Sequence, residues 1–286
     1  METLGYIAAM LIGLSLGLIG GGGSILTVPV LVYLIGLSPV LSTAYSLFIV
    51  GLTSLVGAWK FYNKGLVSLK TAVVFGLPSI AAVYTTRRWL VPAIPERIFS
   101  VGDLVVSKGM LLMLLFAGLM VFASVSMIRR KKEAPAEPVD AVDENIDTDL
   151  QVEEATPRQT HPELKLNYGG ILAEGLVVGT LTGLVGAGGG FLIIPALVLF
   201  SRLDMKMAVG TSLLIIAAKS LIGFMGDIYN YDIDWLFLSI FSSISVVGIF
   251  IGSFLSSRIP ADKLKSSFGW FVLFMGLYII GKELFF

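Results

Sequence analysis

The chain has 286 residues, and 56% of them are hydrophobic. Soluble domains run nearer ~45–50% apolar even with glycine counted, so this composition excludes a soluble globular protein. Twenty basic residues balance twenty acidic ones, which gives no charge signal for a nucleic-acid partner. With no cysteine, disulfides, thiolate metal sites and cysteine nucleophiles are also excluded.

Residues 4–36 form an apolar run broken at 20–24, followed by runs at 40–59, 69–90 and 104–128. A polar segment spans 129–167. The second half repeats the pattern: 168–201 broken at 186–190, then 205–224, 233–257 and 265–286. Several of these reach the roughly 18–20 residues that cross a bilayer, so the chain reads as a polytopic membrane protein with four hydrophobic segments per half. The first run has no basic start and no cleavage site, and is expected to be retained.

The halves are an ungapped duplication at an offset of 166, the distance from Gly20 to Gly186. In that register Gly17 matches Gly183, Gly22 matches Gly188, Gly23 matches Gly189 and Pro29 matches Pro195. Ser46-Leu47 matches Ser212-Leu213, Ser54-Leu55 matches Ser220-Leu221, and Gly57 matches Gly223. Duplications of this kind mark secondary transporters. The expected architecture is all-α: a first membrane repeat at 1–128, an acidic linker at 129–167 and a second repeat at 168–286.

The linker opens with Arg129-Arg130-Lys131-Lys132 and continues acidic, with few large apolar residues, so it reads as solvated, with recruitment of a partner by a non-transporting membrane scaffold as the alternative. His161, the single histidine, lies there as a bystander. Lys and Arg in short loops mark the cytoplasmic side. The basic start puts the linker in the cytoplasm. If 168–201 enters and leaves on one side, Arg202, Lys206, Arg258, Lys263 and Lys265 fall inside, and Asp227, Asp232 and Asp234 fall outside. A hairpin plus three crossings per half makes the repeats inverted. The first half fits less well: Lys60, Lys64 and Lys70 fall inside, but Arg87, Arg88 and Arg97 fall outside.

The glycine runs Gly20-Gly21-Gly22-Gly23-Ser24 and Gly186-Ala187-Gly188-Gly189-Gly190 are the breaks. Glycine costs about 1 kcal/mol per helical position relative to alanine, and unpaired backbone in a bilayer must lie inside protein or line a wet cavity. Helices restarting near Leu26 and Leu192 accept Pro29 and Pro195 in their first turns. Two half-helix N-termini would then point their free N–H groups at the breaks near the midplane, as an anion site made of backbone. Close helix packing is the competing explanation of the glycines.

The candidate substrate-binding residues are Gly20, Gly21, Gly22, Gly23, Ser24 and Thr27 at the first break, and Gly186, Gly188, Gly189 and Gly190 at the second. Ser46, Thr211, Ser212 and Lys219 from the following helices complete the set. The hydroxyls either donate to an oxyanion or tie helices together. Lys219 stands in an apolar stretch, where it either attracts an anion or snorkels to the surface. Glu174 is a candidate proton carrier about one turn from the membrane edge. Trp59, Trp89, Trp235 and Trp270 lie at segment ends, where aromatic belts occur. Neither glycine run continues as a P-loop, and no catalytic or metal constellation stands in the membrane segments. The chain reads as no enzyme and needs no cofactor.

Gly-Leu-Ile-Gly-Gly-Gly-Gly-Ser-Ile-Leu-Thr-Val-Pro (17–29) and Gly-Leu-Val-Gly-Ala-Gly-Gly-Gly-Phe-Leu-Ile-Ile-Pro (183–195) resemble the doubled motif of the TauE/SafE sulfite exporter family. Ala-Val-Gly-Thr-Ser-Leu (208–213) resembles its second motif, with Ser42–Leu47 as a looser copy. The resemblance implies a bacterial inner-membrane permease for small sulfur-containing anions such as sulfite, sulfonate or sulfoacetate. Its partners would be the lipid bilayer and a small anion, with room for a homodimer. Tyr45 stands where the second copy has Thr211, and would fill space left open there.

Overall fold

The computed structural model describes residues 2–101, 104–129, 168–199, 203–256 and 261–285. The acidic linker from residue 130 onward, with His161, lies outside the described residues, as do Arg202 and Arg258. Helix α1 (Glu2–Ile19) leads into a 3₁₀ segment (Gly20–Leu26), the short α2 (Thr27–Pro29) and a π segment (Val30–Leu34). Then come α3 (Pro39–Asn63) and α4 (Leu69–Thr85), the latter prolonged through a π turn (Thr86–Leu90) and α5 (Val91–Ala93). A two-stranded hairpin, β1 (Arg97–Val101) and β2 (Leu104–Ser107), precedes α6 (Lys108–Arg129). The second half supplies α7 (Tyr168–Val185), α8 (Gly190–Leu199), α9 (Met205–Asp227), α10 (Trp235–Ser256) and α11 (Ala261–Phe285).

Six helices among the described residues are long and apolar enough to cross a membrane. Trp59, Trp89, Trp235 and Trp270 are all exposed. The strand pair corrects the expectation of one apolar run from residue 104: the helix begins at Lys108, and the residues before it pair as strands. Alternating apolar residues in so short a stretch read equally well as a helix start.

The duplication is visible in the packing. Gly13 of α1 sits against Ser245 and Gly248 of α10, and Gly179 of α7 sits against Ser79 and Ala82 of α4, the same positions moved by the offset. Each repeat therefore lends its first helix to the third hydrophobic segment of the other, α1 to α10 and α7 to α4. At the centre Gly57 lies against Leu213 and Gly223 against Leu47, so the equivalent helices α3 and α9 cross antiparallel.

Helix caps repeat in the same register. Ser38 and Asp204 accept from the amides of Leu41 and Met207, and Ser68 and Asp234 accept from those of Thr71 and Phe237. An N-cap is worth about 1 kcal/mol. Asp204→Ala is therefore expected to destabilise the protein by about that amount, read as a lower Tm in detergent.

The first break folds back on itself. Gly5 meets Ile35, and the Ser15 hydroxyl lies 3.4 Å from the Gly23 carbonyl. Its run is continuous 3₁₀ helix, with Pro29 in the first turn of α2 as expected. The second break differs. Gly186, Gly188 and Gly189 have φ of +74°, +66° and +72°, a backbone closed to most side chains. That left-handed turn lets α8 begin at Gly190, earlier than the expected start near Leu192, so Pro195 falls in the second turn.

Candidate functional site

The two breaks touch. A Cβ on Gly190 would fall on the Gly21 backbone, and one on Gly21 would meet Gly190 and Ile216. Ile216 also covers Gly188, together with Val50, its own equivalent in the first repeat. Return legs from both breaks therefore meet where α3 and α9 cross.

Lys219 stands at the second break. Its side chain is 1% exposed, so it does not snorkel to the surface. Nζ donates to the Thr182 hydroxyl of α7 at 2.9 Å, and a Cβ on Gly189 would lie 3.0 Å from it. Among the described residues no carboxylate lies within ion-pair distance of Nζ. At a helix centre in a bilayer a cation costs about 3 kcal/mol. The equivalent contact at the first break is with backbone and carries no charged side chain. There Gly23 packs on Leu16, the counterpart of Thr182, while Thr53, the counterpart of Lys219, bonds back to the carbonyls of Ile49 and Val50. Only the second break carries a charge at this position.

The other candidates divide. Gly20 and Gly22 belong to the 3₁₀ segment. Ser24 donates to the Gly21 carbonyl, and Ser212 to that of Val209. Thr27 and Ser46 are buried with hydroxyls that have no partner among the described residues. Thr211 lies about 12 Å before Lys219 along α9 and accepts from the Ser68 amide in the α3–α4 connection. Tyr45, its counterpart, accepts from the Asp234 amide in the α9–α10 connection. Tyr45 thus does not simply fill space left by a smaller residue: it holds the equivalent loop. Glu174 is half-buried, and one of its carboxylate oxygens has no partner among the described residues.

Two residues counted as outside loop charges are in the interior. Arg87 and Asp227 are both 0% exposed and face each other, Nη1 to Oδ2, at 3.4 Å. Arg87 also donates to the Thr43 hydroxyl at 3.0 Å, and Thr43 packs on Gly186. Both sit at apparent segment ends, where a charge in the sequence looks like a loop residue. Withdrawing them removes one basic residue from the outer side of the charge count and one acidic residue with it.

A model of the sulfite exporter TauE/SafE family matches residues 5–279, nearly the whole chain. The chain belongs to the TauE/SafE sulfite exporter family. It is 29% identical over 276 residues to a probable membrane transporter protein of Xylella fastidiosa, covering 96% of this chain and 92% of that one. A second relative is the probable membrane transporter protein YunE of Bacillus subtilis, 25% identical over 82% of each chain. No solved structure matches. A TauE/SafE chain with these spans is a multi-pass membrane transporter.

Proposed function

We propose that this transporter is a permease for small sulfur oxyanions, sulfite, sulfonate or sulfoacetate, and that it exports them across the bacterial inner membrane. The observation that carries the reading is Lys219: a cation buried against the Gly189 backbone, held by one hydroxyl and by no carboxylate among the described residues. An oxyanion there would accept from Nζ and from free backbone N–H groups at the start of α8. Gly188, Gly189, Gly190 and Lys219 form the core of the site, with Gly21 closing it from the first repeat. The unpartnered Thr27 and Ser46 hydroxyls stand in reserve along the path.

The repeats are inverted in the membrane; the antiparallel crossing of α3 and α9 supports this. The linker and the Lys60–Lys70 end of the first repeat face the cytoplasm. Export follows from charge: with a negative interior, a leaving monoanion gains about 2.3 kcal/mol per 100 mV without a coupling ion.

Proteoliposomes loaded with sulfite test this. Efflux is expected to saturate, to speed up when the interior is made negative, and to be slowed by external sulfoacetate. Folded, inserted protein that passes no sulfite, sulfate or sulfoacetate would refute the reading.

A further inference from the structure

Arg87 has more donors than its surroundings use. It is fully buried, yet among the described residues its Nε and Nη2 have no hydrogen-bond partner, and neither carboxylate oxygen of Asp227 has one. The two are held by a single contact of 3.4 Å, not by the paired fork that a guanidinium and a carboxylate can form. Buried donors left unfilled are costly and uncommon. In a settled structural pair the fork would be closed.

The position of this free edge matters. Thr43, which takes the remaining Arg87 bond, packs on Gly186, and Thr86 packs on Gly183. Gly226, next to Asp227, lies against Arg87 itself. The second break is thus flanked by two buried cations, Lys219 at Gly189 and Arg87 beyond Gly186. In the other half the equivalent contact joins Lys60, the counterpart of Gly226, to Ser253, the counterpart of Arg87, at 2.7 Å. Lys60 is exposed and its contact is closed, so among the described residues this pair of positions carries a buried cation with spare donors only at the Arg87 end.

Resting on the anion reading above, we propose that Arg87 is a second ligand of the transported oxyanion and that Asp227 is its resting counter-ion. An arriving anion takes the Nε–Nη2 edge with two oxygens and displaces the Asp227 carboxylate. The planar fork favours oxyanions over a spherical halide, which makes Arg87 a determinant of specificity.

The test compares Arg87→Gln/Asp227→Asn, Asp227→Asn and Arg87→Lys with the unaltered protein, by sulfite-dependent rise in Tm and by half-saturation of flux. The double variant removes the pair without leaving a lone buried charge, so it is expected to fold. Its half-saturation is expected to rise at least tenfold, with its Tm shift lost. Asp227→Asn is expected to bind sulfite several-fold more tightly, and Arg87→Lys to let chloride compete as it does not in the unaltered protein. A double variant that binds sulfite normally, or an Asp227→Asn that binds it more weakly, overturns the role of Arg87 and leaves the anion reading standing. An unaltered protein that responds to no anion overturns both.

Discussion

Replacing Lys219 by methionine is expected to raise the half-saturating sulfite concentration roughly 10- to 100-fold while making the protein more stable. A hydrogen bond to a charged group is worth about 1.5–3 kcal/mol, and each ~1.4 kcal/mol is tenfold in affinity. Stability moves the other way because methionine removes a buried cation that has no carboxylate partner among the described residues. The Nζ–Thr182 bond lost in exchange is a single contact of 2.9 Å. Flux and Tm measured on the same preparation check both signs. If Lys219 were only a tie between α7 and α9, Tm would fall with flux.

Gly190→Ala is expected to reduce sulfite flux at least tenfold in protein that still inserts. In an ordinary helix this change gains about 1 kcal/mol. Here the new methyl falls on the backbone of Gly21, which cannot rotate aside as a side chain can. Overpacking of this kind costs about 1–3 kcal/mol and pushes the two breaks apart. Gly118→Ala and Gly281→Ala are the controls, since a Cβ at either site meets nothing within 4 Å. Their flux is expected to match that of the unaltered protein. Equal losses in all three variants would place the Gly190 effect outside the contact.

Much of the frame was legible in the sequence. Apolar runs gave the segments because lipid requires length, and the ungapped register exposed the duplication that the caps and glycine contacts repeat residue by residue. The breaks were legible because glycine in series is poor helix. Their difference was not: Gly20–Gly23 and Gly186–Gly190 look alike, and only the second adopts left-handed φ. Backbone angle depends on what packs around the turn, here Thr43, Val50 and Lys219. Arg87 and Asp227 lie far apart in sequence, and each alone resembles a loop charge. Their burial is a tertiary fact, although Arg87 inside an apolar run was the signal that could have found it. The tie at Thr211 was not legible for a related reason: a motif hydroxyl near a break in sequence accepts, in space, from the Ser68 amide.

The central claim is that the anion site is single and belongs to the second break, despite the two-fold duplication. Calorimetric titration of sulfite into the purified protein tests it most directly. The account predicts one site per chain, weakened roughly 10- to 100-fold by Lys219→Met and unchanged when Thr53, the uncharged counterpart, is changed to valine. Two equivalent sites per chain, or sulfite binding that survives Lys219→Met unchanged, would contradict it.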